Sequence, residues 1–145
     1  MTISMSARVF LDTNVLVYLY DEDTPEKQAR AARLLEEYGP GGAAFISTQV
    51  LQEFYVTVSR KLARPLAKDL ALAAVRNLAQ LPTVRVDVPT ILAAIQLSQE
   101  HQVSFWDGLI IQSALNAGCD RLLTEDLQSG RQLGELQIEN PFTSG

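Results

Sequence analysis

The chain has 145 residues, 47% of them hydrophobic, with 12 Lys and Arg against 17 Asp and Glu, a net charge of −5. This length suits one domain spanning 1–145, able to bury roughly two-thirds of its unfolded surface, and the apolar share excludes a disordered chain. No apolar run reaches the roughly eighteen residues of a membrane span, "MTISMSARVF" has no basic-then-apolar leader, and lone Cys119 excludes an internal disulfide, so a cytoplasmic protein away from membranes is expected.

The elements alternate along the chain. "ARVFLD" predicts a strand buried on both faces. "TPEKQARAARLLEEYG" predicts a helix capped by Thr24, with Pro25 in its first turn and Gly39 as its stop. "AAFIS" predicts a second buried strand and leads into "STQVLQEFYVTVSRKLA", where Val50, Leu51, Phe54, Val58 and Leu62 form one apolar stripe. Pro65 is expected to open a further helix, and the strictly alternating "TVRVDV" predicts an edge strand. Two more helices, "PTILAAIQLSQEHQ" and "SFWDGLIIQSALNAG", precede a fourth strand, "DRLLT", and a possible fifth, "LQIENP". Alternating strands and helices specify an α/β fold on a mainly parallel sheet of four or five strands. Ligands of such open sheets bind beyond the carboxyl ends of the strands, so residues there are the ones to weigh.

Four acids fall at or near those ends. Asp12 closes the first strand; alone, it reads most simply as a helix cap. Glu53 lies about one turn into the helix after the second strand, at the border of its apolar stripe. Asp107 sits among Phe105, Trp106, Leu109, Ile110 and Ile111, in a helix apolar enough to be largely buried. Its competing role is the second half of a Ser104–Asp107 capping box. Gly108 beside it signals a close approach to the backbone. Asp126 follows the fourth strand, where Glu125 rivals it for any role and both suit a turn.

If the four converge, their charges need neutralising. Two carboxylates about 4 Å apart repel by roughly 4 kcal/mol at an effective dielectric near 20. One His and one Cys exclude a zinc cage, whereas hard oxygen donors select Mg²⁺ or Mn²⁺. Such ions serve phosphodiester hydrolysis without a protein nucleophile. His101, in "SQEHQ", reads as a surface residue. Arg60, Lys61 and Arg64, followed by Lys68 and Arg76, fit a phosphate-tracking helix face and a plainly solvated one equally well, with Arg30 and Arg33 as a second set.

The run "VFLDTNVLVY", the acid within "STQVLQEFY", then "SFWDGLIIQSAL" and "LLTEDLQSG" before "IENPF" resembles the PIN-domain ribonucleases, above all the VapC-type toxins of bacterial toxin–antitoxin pairs. The resemblance covers nearly the whole chain. It implies a three-layer α/β/α sandwich and Mg²⁺- or Mn²⁺-dependent cleavage of RNA. It also implies metal-binding catalytic acids at Asp12, Glu53, Asp107 and Asp126, with Asn14 and Thr124 orienting them. The same likeness selects Asp126 over Glu125, and implies a homodimer and a small antitoxin partner. Two alternatives stand beside it. A phosphatase of the haloacid dehalogenase type would need an acid where Asn14 stands and Thr where Leu16 stands. A catalytically silent binding module would keep the fold and use its acids as caps.

Overall fold

The structure, a computed structural model, describes residues 7–143. In chain order the elements are β1 (Val9–Leu11), α1 (Thr13–Val17), α2 (Pro25–Tyr38), β2 (Ala44–Ser47), α3 (Thr48–Val56), α4 (Lys68–Leu78), β3 (Thr83–Val84), α5 (Val88–His101), α6 (Phe105–Asn116), β4 (Arg121–Leu123), β5 (Gln132–Leu133) and β6 (Leu136–Glu139). A 3₁₀ turn, Tyr18–Tyr20, extends α1, and a wider π-type turn, Thr57–Lys61, extends α3.

The strands lie in the order β3-β2-β1-β4-β6-β5, all parallel except β5. The chain steps one way from β1 through β2 to β3, then crosses back over both to β4. Parallel crossovers are right-handed, so the reversal puts α5 and α6 on the opposite face of the sheet from α1–α4. The packing agrees: α3 rests on both α1 and α4, and α5 packs against α6. The result is the α/β/α sandwich expected. The core is filled by Phe10, Leu11, Leu16, Ile46, Phe54 and Ile111, with Leu122, Leu123, Leu136 and Ile138 beside them, all fully buried.

Several expectations need correcting. The sheet has six strands, because after β4 the chain doubles back through Gly134 (φ 61°) and adds β5 as an antiparallel edge. Two-residue pairings of this kind leave no periodicity to read. "TVRVDV" pairs over Thr83 and Val84 alone, since Asp87 caps α5 by accepting from the Thr90 amide at 3.0 Å. Both edge strands are thus two residues long, which limits edge-to-edge association. Pro65 precedes α4 by a loop rather than opening it. Pro25 does stand in the first turn of α2, but the Thr24 side chain makes no capping bond. His101 is half-buried at the end of α5, where its carbonyl accepts from Arg131 at 2.7 Å.

Gly108 is as close-packed as the sequence suggested. A Cβ there would lie 2.9 Å from the Ala94 carbonyl oxygen and 3.1 Å from the Ser98 Cβ, so α5 and α6 meet through its missing side chain. Cys119 is buried, and burial pushes its thiol up to about 12, an inert apolar group.

Candidate active site

β1 and β4 are neighbours whose onward connections run in opposite directions, and a crevice opens beyond the carboxyl ends of such a pair. Their register sets Leu11 against Leu123, so the next residues, Asp12 and Thr124, come side by side. Thr124 Oγ1 donates to Asp12 Oδ2 at 2.8 Å. The same hydroxyl accepts from the Asn14 side-chain amide and from the Asp126 backbone amide, each at 3.1 Å. One donor and two acceptors are all a hydroxyl has, and buried Thr124 uses every one.

Asp12 is also the cap its position suggested, but with one oxygen. Oδ1 accepts from the Thr13 amide at 2.7 Å, opening α1, while Oδ2 faces β4. Asn14 ties the two strand ends together. Its Nδ2 donates to Asp126 Oδ2 at 3.1 Å, and its Oδ1 accepts from the Glu125 amide at 3.1 Å. That second bond fixes which way the amide points.

Around this centre lies a cleft of about 620 Å³, lined among others by Asp12, Asn14, Glu53, Lys61, Asp107 and Asp126. Glu53 reaches it from α3, where its Oε1 accepts from the Thr13 hydroxyl at 2.9 Å. Asp107 reaches it from the first turn of α6. Ser104 Oγ accepts the Asp107 amide at 3.1 Å, but among the described residues no bond returns from the Asp107 carboxylate to Ser104. The capping box is therefore half made, and the carboxylate is left facing the cleft. Asp107 is half-buried rather than enclosed, in a first turn of α6 that is open to solvent, where Trp106 is 62% exposed.

The two neighbours after β4 part company. Glu125 does not line the cleft but accepts from Lys27 and from the hydroxyl of Tyr18, a residue at the cleft's border. Although burial alone would raise its carboxyl, those bonds hold it below the usual carboxylate range. Asp126 stays exposed and lines the cleft.

Charge accumulates where it is least solvated. Asp12 is 5% exposed, and burial pushes its carboxyl up to about 6. The hydrogen bonds from Thr124 and Thr13 pull against that rise, and the charges of Asp126 and Glu53 add to it. The donors converging here are all oxygens, which by type fit a hard divalent cation and no soft one. Among the described residues, no three His, Cys, Asp or Glu side chains stand close enough to enclose an ion.

The basic candidates scatter. Lys61, brought round by the π-type turn whose Leu62 amide donates to the Thr57 carbonyl at 3.2 Å, lines the cleft; Arg60 is exposed beside it. Arg64 lies by a smaller cavity of about 210 Å³, facing Glu22 at 3.8 Å and Asp23 at 3.6 Å. Arg30 donates to the Pro141 carbonyl at 2.9 Å, and Arg33 is exposed on α2.

Sequence reasoning passed over Thr13, Gln49 and Asp21, which also line the cleft. Gln49, 5% exposed, donates to the Trp106 carbonyl at 3.2 Å, while its Oε1 is buried without a partner among the described residues. An amide in the first turn of an apolar helix was the available signal.

A family model described as the PIN domain matches residues 9–131. Over 144 residues the chain is 26% identical to Ribonuclease VapC24 of Mycobacterium tuberculosis, covering 92% of this chain and 97% of the relative. Among solved structures it is similar to Mycobacterium tuberculosis VapC20, described as a Sarcin-Ricin loop cleaving toxin, with TM-score 0.63, 20% identity and coverage of 79% of this chain and 86% of that one. It is also similar to a toxin–antitoxin complex from Klebsiella pneumoniae, with TM-score 0.68, 18% identity and coverage of 92% and 98%. These structural likenesses speak to the fold. With the family model spanning every strand from β1 to β4, and so both sides of the acid-lined crevice, the chain belongs to the PIN-domain family.

Proposed function

We propose that this chain is a metal-dependent endoribonuclease that hydrolyses RNA phosphodiester bonds, and the toxin of a type II toxin–antitoxin pair. The observation that carries this is the convergence of Asp12, Glu53, Asp107 and Asp126, from four separate parts of the chain, on one cleft at the switch point of the sheet. The similarity to a named ribonuclease along nearly the whole chain supports the reaction class. The similarity to a toxin–antitoxin complex supports a small antitoxin protein as partner.

Held by these four carboxylates, Mg²⁺ or Mn²⁺ would neutralise the cleft and supply an activated water for in-line hydrolysis. The chain's own residues prepare the place. Thr124 and Asn14 fix Asp12 Oδ2 and Asp126, Thr13 fixes Glu53, and preset carboxylates lose little freedom when the site fills. Lys61 is placed to meet a substrate phosphate, and Arg60 to extend that contact. The protein acts as one domain over 1–145, as a homodimer in the cytoplasm; among the described residues no helix is long and apolar enough to cross a membrane.

The rival phosphatase chemistry has no proton donor at Asn14, whose amide is committed to Thr124 and Asp126. A silent binding module leaves the open Asp107 carboxylate unexplained. The test is incubation of the purified, antitoxin-free protein with mixed RNA, in Mn²⁺ or in EDTA, beside Asp12→Asn and Asp107→Asn. Cleavage is expected with metal alone and in neither variant. Cleavage by Asp12→Asn equal to that of the parent removes the metal site from the reaction.

A further inference from the structure

We propose that Trp106 is a stacking platform for an unpaired base of the substrate, so that the cleft selects a nucleotide splayed out of a helix; this rests on the ribonuclease reading above. The chain has one tryptophan, and it stands 62% exposed while Leu109, Ile110 and Ile111 of the same helix are buried. A side chain able to bury 150–250 Å², roughly, is an unusual one to leave in water. It is also held in place. The Gln49 side chain donates to its carbonyl at 3.2 Å, and Phe105 meets the indole edge-on, centroids 5.1 Å apart and planes at 67°. Trp106 lines the same cleft as the acids.

The charge of that cleft says why an aromatic is useful there. Its lining carries Asp12, Asp21, Glu53, Asp107 and Asp126 against Lys61 as the one Lys or Arg. Phosphate attraction by the chain's own side chains is therefore weak at this point, and a contact that does not depend on charge adds affinity to whatever bound cations supply. Stacking on an aromatic face provides one, and it works for every base because every base has a π-face. In a duplex those faces are already covered by neighbouring bases, so the platform discriminates against paired RNA. Trp106 is one residue, about 3.8 Å along the backbone, from Asp107. Adjacent side chains on a helix point different ways, so what joins the two residues is the cleft that both line.

Because the tryptophan is single, its emission reports on this residue alone. The full chain is titrated in Ca²⁺, and separately in EDTA, with a short single-stranded 2′-O-methyl oligoribonucleotide, its abasic counterpart and a blunt duplex of the same sequence. The single strand is expected to quench the emission, and the abasic strand and duplex to quench far less. In cleavage assays with Mg²⁺, Trp106→Ala should raise KM about tenfold with a smaller change in kcat, and Trp106→Phe should restore most of the loss. Equal quenching by the abasic strand, or an unchanged KM for Trp106→Ala, overturns the platform. So does a Trp106→Ala variant that cleaves normally and has lost a protein partner, which would make the indole a docking residue instead. A parent protein that cleaves no RNA with any metal sinks the ribonuclease reading itself, a different result from a parent that cleaves as well without the indole.

Discussion

The paired strands β1 and β4 have one acid, Asp120, at their amino ends and several at their carboxyl ends, and the two ends treat them oppositely. At the amino ends, Asp120 Oδ2 accepts the Arg8 amide at 2.9 Å, and the Asp120 amide returns to the Arg8 carbonyl at 2.8 Å. Arg8 lies over the Phe45 ring and donates to the Ala117 carbonyl at 3.4 Å. The Asp120 carboxylate and amide both bond the Arg8 backbone, and these bonds serve to start the ladder. At the carboxyl ends, Asp12 is buried, flanked by the charges of Asp126 and Glu53, and held by a hydroxyl and amides that carry no full charge. The same residue type is structural at one end and held ready for chemistry at the other. The difference lies in what stands opposite it, not in the residue.

The largest expected effect separates two adjacent acids. Asp126→Asn should abolish RNA cleavage, whereas Glu125→Gln should keep it within about tenfold, because the Glu125 carboxylate is committed to Lys27 and Tyr18 and does not itself line the cleft. Removing that partly exposed ion pair should lower stability by about 1 kcal/mol at most, read from a denaturant melt. If the two variants lost activity equally, the contrast between committed and available acids would fail.

A second, smaller effect is a pH dependence confined to one end. The Asp12 carboxyl stands at about 6 in the folded protein against an ordinary 3.8, so between these values the folded chain binds more protons than the unfolded one. Stability of the metal-free protein is therefore full below the lower value and falls as pH rises through 6. The whole loss is on the order of 3 kcal/mol, of which about 1 kcal/mol, a melting shift on the order of 3–5 °C for a chain of this size, falls between pH 5 and pH 7. Thermal melts in EDTA at pH 5 and pH 7 should show that decline, and Asp12→Asn should flatten it. A parent protein more stable at pH 7 than at pH 5 in EDTA would contradict the burial of charge at this end.

The smallest effect concerns the basic residues. Lys61→Glu should weaken RNA binding and lower the salt slope by about one. Arg64→Glu should change neither, since Arg64 faces Glu22 and Asp23 away from the acids. Equal slopes for the two variants would return Lys61 to the solvated face of its helix.

How much of this was readable before the fold depends on range. Asp12, Glu53, Asp107 and Asp126 could be picked out because each interrupts or borders an apolar pattern, and such interruptions are local. That Glu125 and Asp126 part ways could not be seen from the residues, because the deciding partner, Lys27, is 98 positions away. The short helix α1 was hidden inside an apolar run: five residues are too few to show a period. β5 was hidden for the same reason, its existence resting on a two-residue pairing across a glycine turn.

The exposure of Trp106 ran against its surroundings. "SFWDGLII" reads as largely buried, yet α6 meets α5 closely at Gly108, two residues after Trp106, while the indole itself stays in solvent. Local pattern determined the alternation of strands and helices, the acids and the need for a close approach at Gly108, because side-chain period and turn chemistry act over a few residues. The tertiary structure alone decided which acids share a cleft, which basic residue reaches it and which aromatic is left uncovered. Those outcomes depend on strand order and on contacts between residues far apart in the chain, and neither leaves a mark on the pattern of neighbouring letters.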